Sequence, residues 1–485
     1  MLAALAVVVA LVVQDQAPLR SSPHENAPRQ TNLAPGEWLE VRGERQGYLQ
    51  VYDHRLERPG YVRPAHVRLY DVDESSSGPL GALIEYFRDA PGQESLGIGY
   101  VALFLRAAPP LAVGAQEFDA LGTMAERLAH RASARVAGAS EASLPAQIEV
   151  AESYGVKFER FEDEGRTRVC YDGEAFRRVL ALGGAGPART RAALGLTDPD
   201  CLDPALHPTE ALAVVKWQAG VLDAVDPAKL GPEVGARDVA RLRVRRSVVQ
   251  SEVAYLAART GDAALAGQAG EAAKRELLLA DRSALADEDQ MAYEEAALHT
   301  ATVRWASDAA SPSASPDLDV EIAPGAPGQT CVRVRKHAPQ PGTPLVEHCT
   351  YGVVWPSSLR VAPHDAGVAL VVEPVAGWNE LLLLHPTASG WSADTLAPAA
   401  VDPELGYVEP AGFTPDGTHL LVVREWRASG PLGSPHTTTP RVKRVFQLVA
   451  MDGARIEKES SSRGAIADFR RWETAEWRRG TLALR

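Results

Sequence analysis

Four cysteines, Cys170, Cys201, Cys331 and Cys349, fall into two local couples separated by 31 and 18 residues. Three connectivities are open to them. Pairing Cys170 with Cys201 and Cys331 with Cys349 is the only one that keeps each bridge inside one plausible domain. In an oxidising space each closed loop stabilises by about 3 kcal/mol through chain entropy. Cys331, His337, His348 and Cys349 could instead ligate a metal. However, adjacent strand residues such as His348 and Cys349 face opposite ways, and no Cys-x-x-Cys knuckle is present. Two disulfides are therefore expected, and neither a metal centre nor a cofactor.

The compartment argument rests on Met1 to Val13, an unbroken apolar run. As a helix it would reach ~20 Å, short of the ~30 Å hydrocarbon slab. This length suits the core of a signal peptide over residues 1–16, ending at the polar break Gln14-Asp15-Gln16. No Lys or Arg precedes the run and no Ala-x-Ala site follows it, and a buried N-terminal strand is the competing reading. The next most apolar stretch, Ala366 to Leu384, carries Glu373, Asn379 and Glu380 and alternates like a strand. The expectation is a periplasmic or secreted protein without a transmembrane span in the mature chain. The chain is 45% apolar with 40 Gly and 35 Pro, which excludes collagen-like and wholly disordered classes. A net charge of −13 argues against a nucleic-acid partner.

After the break, short strands alternate with turns. Trp38-Leu39-Glu40-Val41 follows Pro35-Gly36, and Gly47-Tyr48-Leu49-Gln50-Val51 and Gly60-Tyr61-Val62 come next. With Leu19-Arg20-Ser21 at the opening, this pattern resembles a bacterial SH3-like (SH3b) domain. The resemblance implies a small β-barrel over 17–72 that binds cell-wall peptide or a protein partner. The aromatic residues Trp38, Tyr48, Tyr52 and Tyr61 are its candidate ligand-binding residues. The opening departs from the family, with Leu-Arg-Ser-Ser-Pro in place of its usual Asn-Val-Arg-Ser-Gly.

Residues 79–306 change to a helical period. Val239, Leu242, Val249, Val253 and Leu256 predict a long helix stopping at Gly261, and Asp262 is placed to cap the next one. Within this helical domain, Val156 to Cys170 alternates around Gly165 and predicts an inserted β-hairpin. Gly183-Gly-Ala-Gly follows a helix and reads as a C-cap rather than a phosphate loop. Three charged groups stand out: Glu162-Asp163-Glu164, the arginines 241, 243, 245 and 246, and Glu295 with His299. They read as a solvated turn, a charged helix face and an i, i+4 pair lacking the second pair that a di-metal bundle needs.

Residues 311–325, opening with Ser311-Pro-Ser-Ala-Ser-Pro, predict a linker, and 326–485 a β domain. Val361 to Glu373 is echoed by Phe413 to Glu425 at an offset of about 52 residues, a blade-like period. Phe413-Thr-Pro-Asp-Gly-Thr-His-Leu-Leu resembles the signature of TolB-type and WD-type β-propellers. About 160 residues hold only three blades, fewer than a closed ring needs, so a partial propeller or a sandwich is expected.

No Gly-x-Ser-x-Gly, His-Glu-x-x-His or Gly-Lys-Ser/Thr phosphate loop occurs. His436, in a Gly/Pro/Ser-rich loop, reads as loop only. The expected fold class is thus multidomain α+β: a small SH3-like barrel, a central helical domain and a C-terminal antiparallel β domain. The expected function is an exported, non-catalytic bacterial envelope protein binding cell-wall peptide or a partner. A cell-wall hydrolase with an unrecognised site is the alternative.

Overall fold

The computed structural model describes residues 8–134, 143–163, 165–308, 317–338, 342–400, 405–428 and 442–482. The chain divides into two compact units, 1–204 with 224–234, and 205–223 with 235–485. It is α+β, and no described helix is long and apolar enough to cross a membrane.

The first unit opens with seven strands: β1 (Val8–Val12), β2 (Ala17–Arg20), β3 (Arg29–Leu33), β4 (Trp38–Arg45), β5 (Tyr48–Asp53), β6 (Arg58–Val62) and β7 (Val67–Asp71). Their order is β3-β2-β6-β5-β4-β1-β7, so β3 and β7 are edges and the expected barrel over 17–72 is not closed. One face still gathers into its own core, from Leu33 on β3 through Leu19, Val62, Val51 and Leu39 to Val67 on β7. Gly60 is required there, because a Cβ on it would lie 2.6 Å from the Leu19 side chain.

Of the expected signal peptide over 1–16, residues 1–7 lie outside the described residues, and Val8–Val12 form strand β1, the competing reading of the run. β1 pairs antiparallel with both β4 and β7. Ala10 and Val12 face the sheet's own core, while Val9 and Leu11 face a second core made with helices. A strand buried on both faces needs apolar residues at every position. That is the same pattern a short export segment shows.

The second core is supplied by α1 (Ser77–Arg88), α2 (Glu94–Ala107), α3 (Ala115–Ser133) and α4 (Leu144–Ser153). The predicted hairpin follows as β8 (Phe158–Asp163) and β9 (Arg166–Tyr171), then α5 (Glu174–Ala181) and α6 (Gly186–Leu196). Gly183 ends α5 at φ 68°, with the Gly184 N–H bonded to the Val179 carbonyl, as a C-cap should. The bridge Cys170–Cys201 ties β9 to the turn after α6.

The helical stretch expected as one domain is split between the units. α7 (Pro208–Ala224) begins in the second unit, and α8 (Ala236–Arg259), α9 (Ala263–Leu279) and α10 (Asp287–Val303) belong to it. Gly261 at φ 87° follows α8, and Asp262 caps α9 by accepting from the Leu265 N–H at 3.0 Å. Both were predicted from the sequence. Part of the expected 311–325 linker lies outside the described residues. The rest is strand β10 (Leu318–Pro324), which pairs along its whole length with β11 (Thr330–Lys336). β11 also pairs with β12 (Val346–Thr350), placing Cys331 directly opposite Cys349, and the second disulfide joins them.

Beyond lie β13 (Val353–Val354), β14 (Arg360–Val361), β15 (Val368–Val375), β16 (Trp378–Thr387), β17 (Gly390–Leu396), β18 (Gly406–Phe413), β19 (His419–Arg427), β20 (Val442–Ala450) and β21 (Arg455–Ser460). The two copies of the repeat become two antiparallel meanders, β15-β16-β17 and β19-β20-β21. β16 and β18 join them through one parallel bridge, Trp378 to Gly406. The strand path stays open, so no ring of blades is formed. Val332 and Val334 of β11 share a core with Leu370 and Leu382, which sets the small sheet against β15 and β16. Two short helices, α11 (Ala467–Trp472) and α12 (Ala475–Leu482), cover the last meander with Phe469 and Trp477.

Candidate binding cleft

The Pro35-Gly36 turn, predicted as the entry to a strand, is the structural origin of a cleft in the first unit. Gly36 adopts φ 96°, and a Cβ on it would fall 2.2 Å from the Ser95 carbonyl oxygen at the start of α2. Only glycine allows this approach. Tyr154, just past α4, donates its hydroxyl to the Gly36 carbonyl at 2.6 Å. Trp38 donates its indole N–H to the Gly99 carbonyl at 3.2 Å. Its ring lies 5.1 Å from that of Tyr154.

These contacts shape a cavity of about 680 Å³, lined by Glu37, Trp38, Glu40, Asp53, Arg55, Arg106 and Tyr154 among others. Its volume is in the range of ordinary small-ligand pockets. Two carboxylates lie buried in it, Glu37 at 4% exposure and Asp53 at 1%. Glu37 Oε1 accepts from the Ala34 N–H at 2.9 Å and from the Arg55 guanidinium at 3.0 Å. Asp53 Oδ1 accepts from the N–H groups of Arg55 and Leu56, holding the turn that leaves β5. The second oxygens, Glu37 Oε2 and Asp53 Oδ2, have no hydrogen-bond partner.

Burial raises the pKa of Glu37, and the neighbouring Asp53 adds to the rise. The hydrogen bond from Ala34 and the Arg55 charge oppose it. At the rim, Glu40 is held below the ordinary carboxylate range by hydrogen bonds from Arg42 and His54. Burial pushes the Tyr154 phenol far up, so it remains a neutral donor. The Arg106 guanidinium stands 5.9 Å from the centre of the Trp38 ring. The cleft thus offers an acidic floor, an aromatic wall and a cation at its edge. Chemically it can hold an ammonium or other donor group against the floor, with an apolar stem along Trp38.

Of the four aromatics expected to bind ligand, only Trp38 lines this cleft. Tyr48 is buried, with its hydroxyl accepting from Arg63 at 3.1 Å. Tyr52 is half-buried beneath the Arg42 guanidinium, 4.0 Å from its ring, with His54 edge-on. Tyr61 lies on β6 opposite Gln50 and Arg20. The four are therefore not one surface. Glu37, Asp53, Arg106 and Tyr154 were missed because they come from distant parts of the chain. The one local signal was the run Asp53-His54-Arg55 after a strand.

The other charged groups resolve differently. Glu162 accepts from Thr167 across the hairpin at 2.7 Å, while the side chain of Asp163 and all of Glu164 lie outside the described residues. Arg243 and Arg246 are largely buried and pair with Glu276 at 2.9 and 3.2 Å. Arg241 pairs with Asp238 and Asp289. Glu295 pairs with Arg427 at 3.1 Å, while burial, and after it the Arg427 charge, push His299 down to about 4. His436 lies outside the described residues. All four cysteines are in disulfides, which agrees with an oxidising space.

No known family model, curated protein or solved structure matches this chain.

Proposed function

We propose that this chain is an exported, non-catalytic binding protein of a bacterial envelope. Its first unit recognises a cell-wall peptide or a partner protein through the Glu37–Asp53 cleft. The observation that carries this reading is the pair of buried carboxylate oxygens without partners, beside Trp38 and Tyr154 in a cavity of about 680 Å³. A buried acceptor left unpaired costs about 1–3 kcal/mol, so a side-chain shift that lets a ligand's donor reach these oxygens is offset by the pairing it makes. Peptides bearing a free ammonium group supply such a donor, with Arg106 at the edge for a carboxylate. The SH3b resemblance and the two disulfides agree with an extracytoplasmic role.

Co-sedimentation of the full chain with insoluble peptidoglycan tests the proposal. Native protein should pellet, and Glu37→Gln, Asp53→Asn and Trp38→Phe should each reduce the pelleted fraction while keeping a native melting transition. No pelleting of native protein, or equal pelleting of all four, removes wall binding through this cleft.

One observation favours a second reading. A carboxyl whose pKa burial raises, beside a second carboxyl group, is an arrangement that glycoside hydrolases use. Release of reducing ends from peptidoglycan, abolished in Glu37→Gln, would select hydrolysis over binding alone.

A further inference from the structure

We propose that Glu126, His130 and Asp198 form a binding site for one divalent transition-metal ion of the zinc class. Glu126 and His130 lie four residues apart on α3, hence on one face of the helix. Asp198 comes from the turn after α6. One donor atom from each, an imidazole nitrogen and two carboxylate oxygens, lies within 4.8 Å of the other two. Asp198 Oδ2 is 2.8 Å from His130 Nε2, a spacing that two ligands of one ion can keep.

The site is preorganised by three links. Asp198 Oδ1 accepts from the Asp200 N–H at 3.0 Å, which leaves Oδ2 to face His130. The Cys170–Cys201 bridge anchors that turn to β9. Ser133, in the last turn of α3, both donates to the Val169 carbonyl and accepts from the Val169 N–H, fastening β9 to the helix. Helix, strand and turn are thereby locked around the three donors. A cavity of about 310 Å³ beside His130 leaves room for water or another exchangeable ligand to complete the coordination.

A nitrogen with two carboxylate oxygens suits zinc, iron(II) or manganese better than calcium, which prefers an all-oxygen shell. With every cysteine in a disulfide, no thiolate competes for the ion. On binding, the ion takes the place of the proton between His130 Nε2 and Asp198 Oδ2, and that proton leaves to solvent. Asp200, paired with Arg168 at 3.2 Å, stays outside the ligand set.

The test is calorimetric titration of the chelator-treated, disulfide-intact full chain with zinc chloride, in two buffers of different ionisation enthalpy. Native protein should take up one zinc per chain with proton release, and bind manganese more weakly, as the order of divalent affinities requires. His130→Ala should abolish this uptake, and Glu126→Gln should weaken it by at least ~10-fold. Glu126→Gln replaces a partly exposed helix residue and serves if His130→Ala fails to fold. No saturable zinc uptake by native protein overturns the proposal. So does unchanged affinity in folded variants, which would mark His130 and Asp198 as an ion pair only.

Discussion

Glu373 and Glu425 occupy the same position in the two copies of the strand repeat, and both are buried, at 0% and 5% exposure. Each accepts a hydrogen bond from an aromatic donor. Glu373 takes the indole N–H of Trp355 at 3.0 Å, and Glu425 takes the hydroxyl of Tyr407. Burial raises them to about 8 and about 7 respectively. The repeat therefore carries a proton-holding carboxyl at the same place in each meander.

A pH dependence follows with a definite sign. Between about 4.5 and 8 the folded chain holds protons on these groups that the unfolded chain has lost. Stability from them is complete below the unfolded value and falls as pH rises through the folded ones. Glu373→Gln keeps the neutral form at all pH. Because Trp355 and Gly377 each donate to one of the two Glu373 oxygens, the amide loses one acceptor at every pH, but the stability of the variant relative to the native protein should rise from pH 4.5 to pH 8 by an amount on the order of a few kcal/mol. Urea unfolding at the two pH values measures this; a difference that does not change with pH would contradict it.

β1 should be indispensable to the first unit. Leu11 is fully buried between β4, β7 and the helices. Leu11→Ala should cost about 2–5 kcal/mol. A chain starting at Ala17 should lose the near-UV circular dichroism of the first unit, whereas cleavage of a dispensable leader would leave it unchanged.

Gly36→Ala should destabilise the cleft as well as the fold. The φ of 96° and the 2.2 Å approach to Ser95 both oppose a side chain. Strain and displacement together should cost about 2–4 kcal/mol in urea unfolding. Hydrogen exchange should rise at the start of α2 before it rises elsewhere.

The two bridges should each contribute about 3–4 kcal/mol through the loops they close. Cys170→Ser with Cys201→Ser should lower the melting transition of the first unit, and Cys331→Ser with Cys349→Ser that of the second. Alkylation should label no cysteine before reduction and all four after it.

Features set by neighbours in the chain were readable from residue order. The end of α8 at Gly261, the cap at Asp262, the hairpin of β8 and β9, and Cys331 opposite Cys349 each depend on a few residues whose spacing dictates their geometry. The strand repeat was readable for the same reason. The apolar run ending at Val13 was not, because a strand covered on both faces and an export segment present the same residues. Which of the aromatics line a cleft was not readable either. That Trp38 lines a cavity while Tyr48 is buried depends on what packs against the sheet.

Residue order alone thus settled the local elements, the two cross-links and the absence of familiar catalytic motifs. The chain's path through space decided three things: that β1 belongs inside the sheet, that the helices divide between two units, and that Glu37, Asp53, Trp38 and Tyr154 meet. The reason is physical. Periodicity and capping act over a few residues, but burying Glu37 and Asp53 with oxygens unpaired requires segments far apart in sequence to pack together, and no local pattern encodes that.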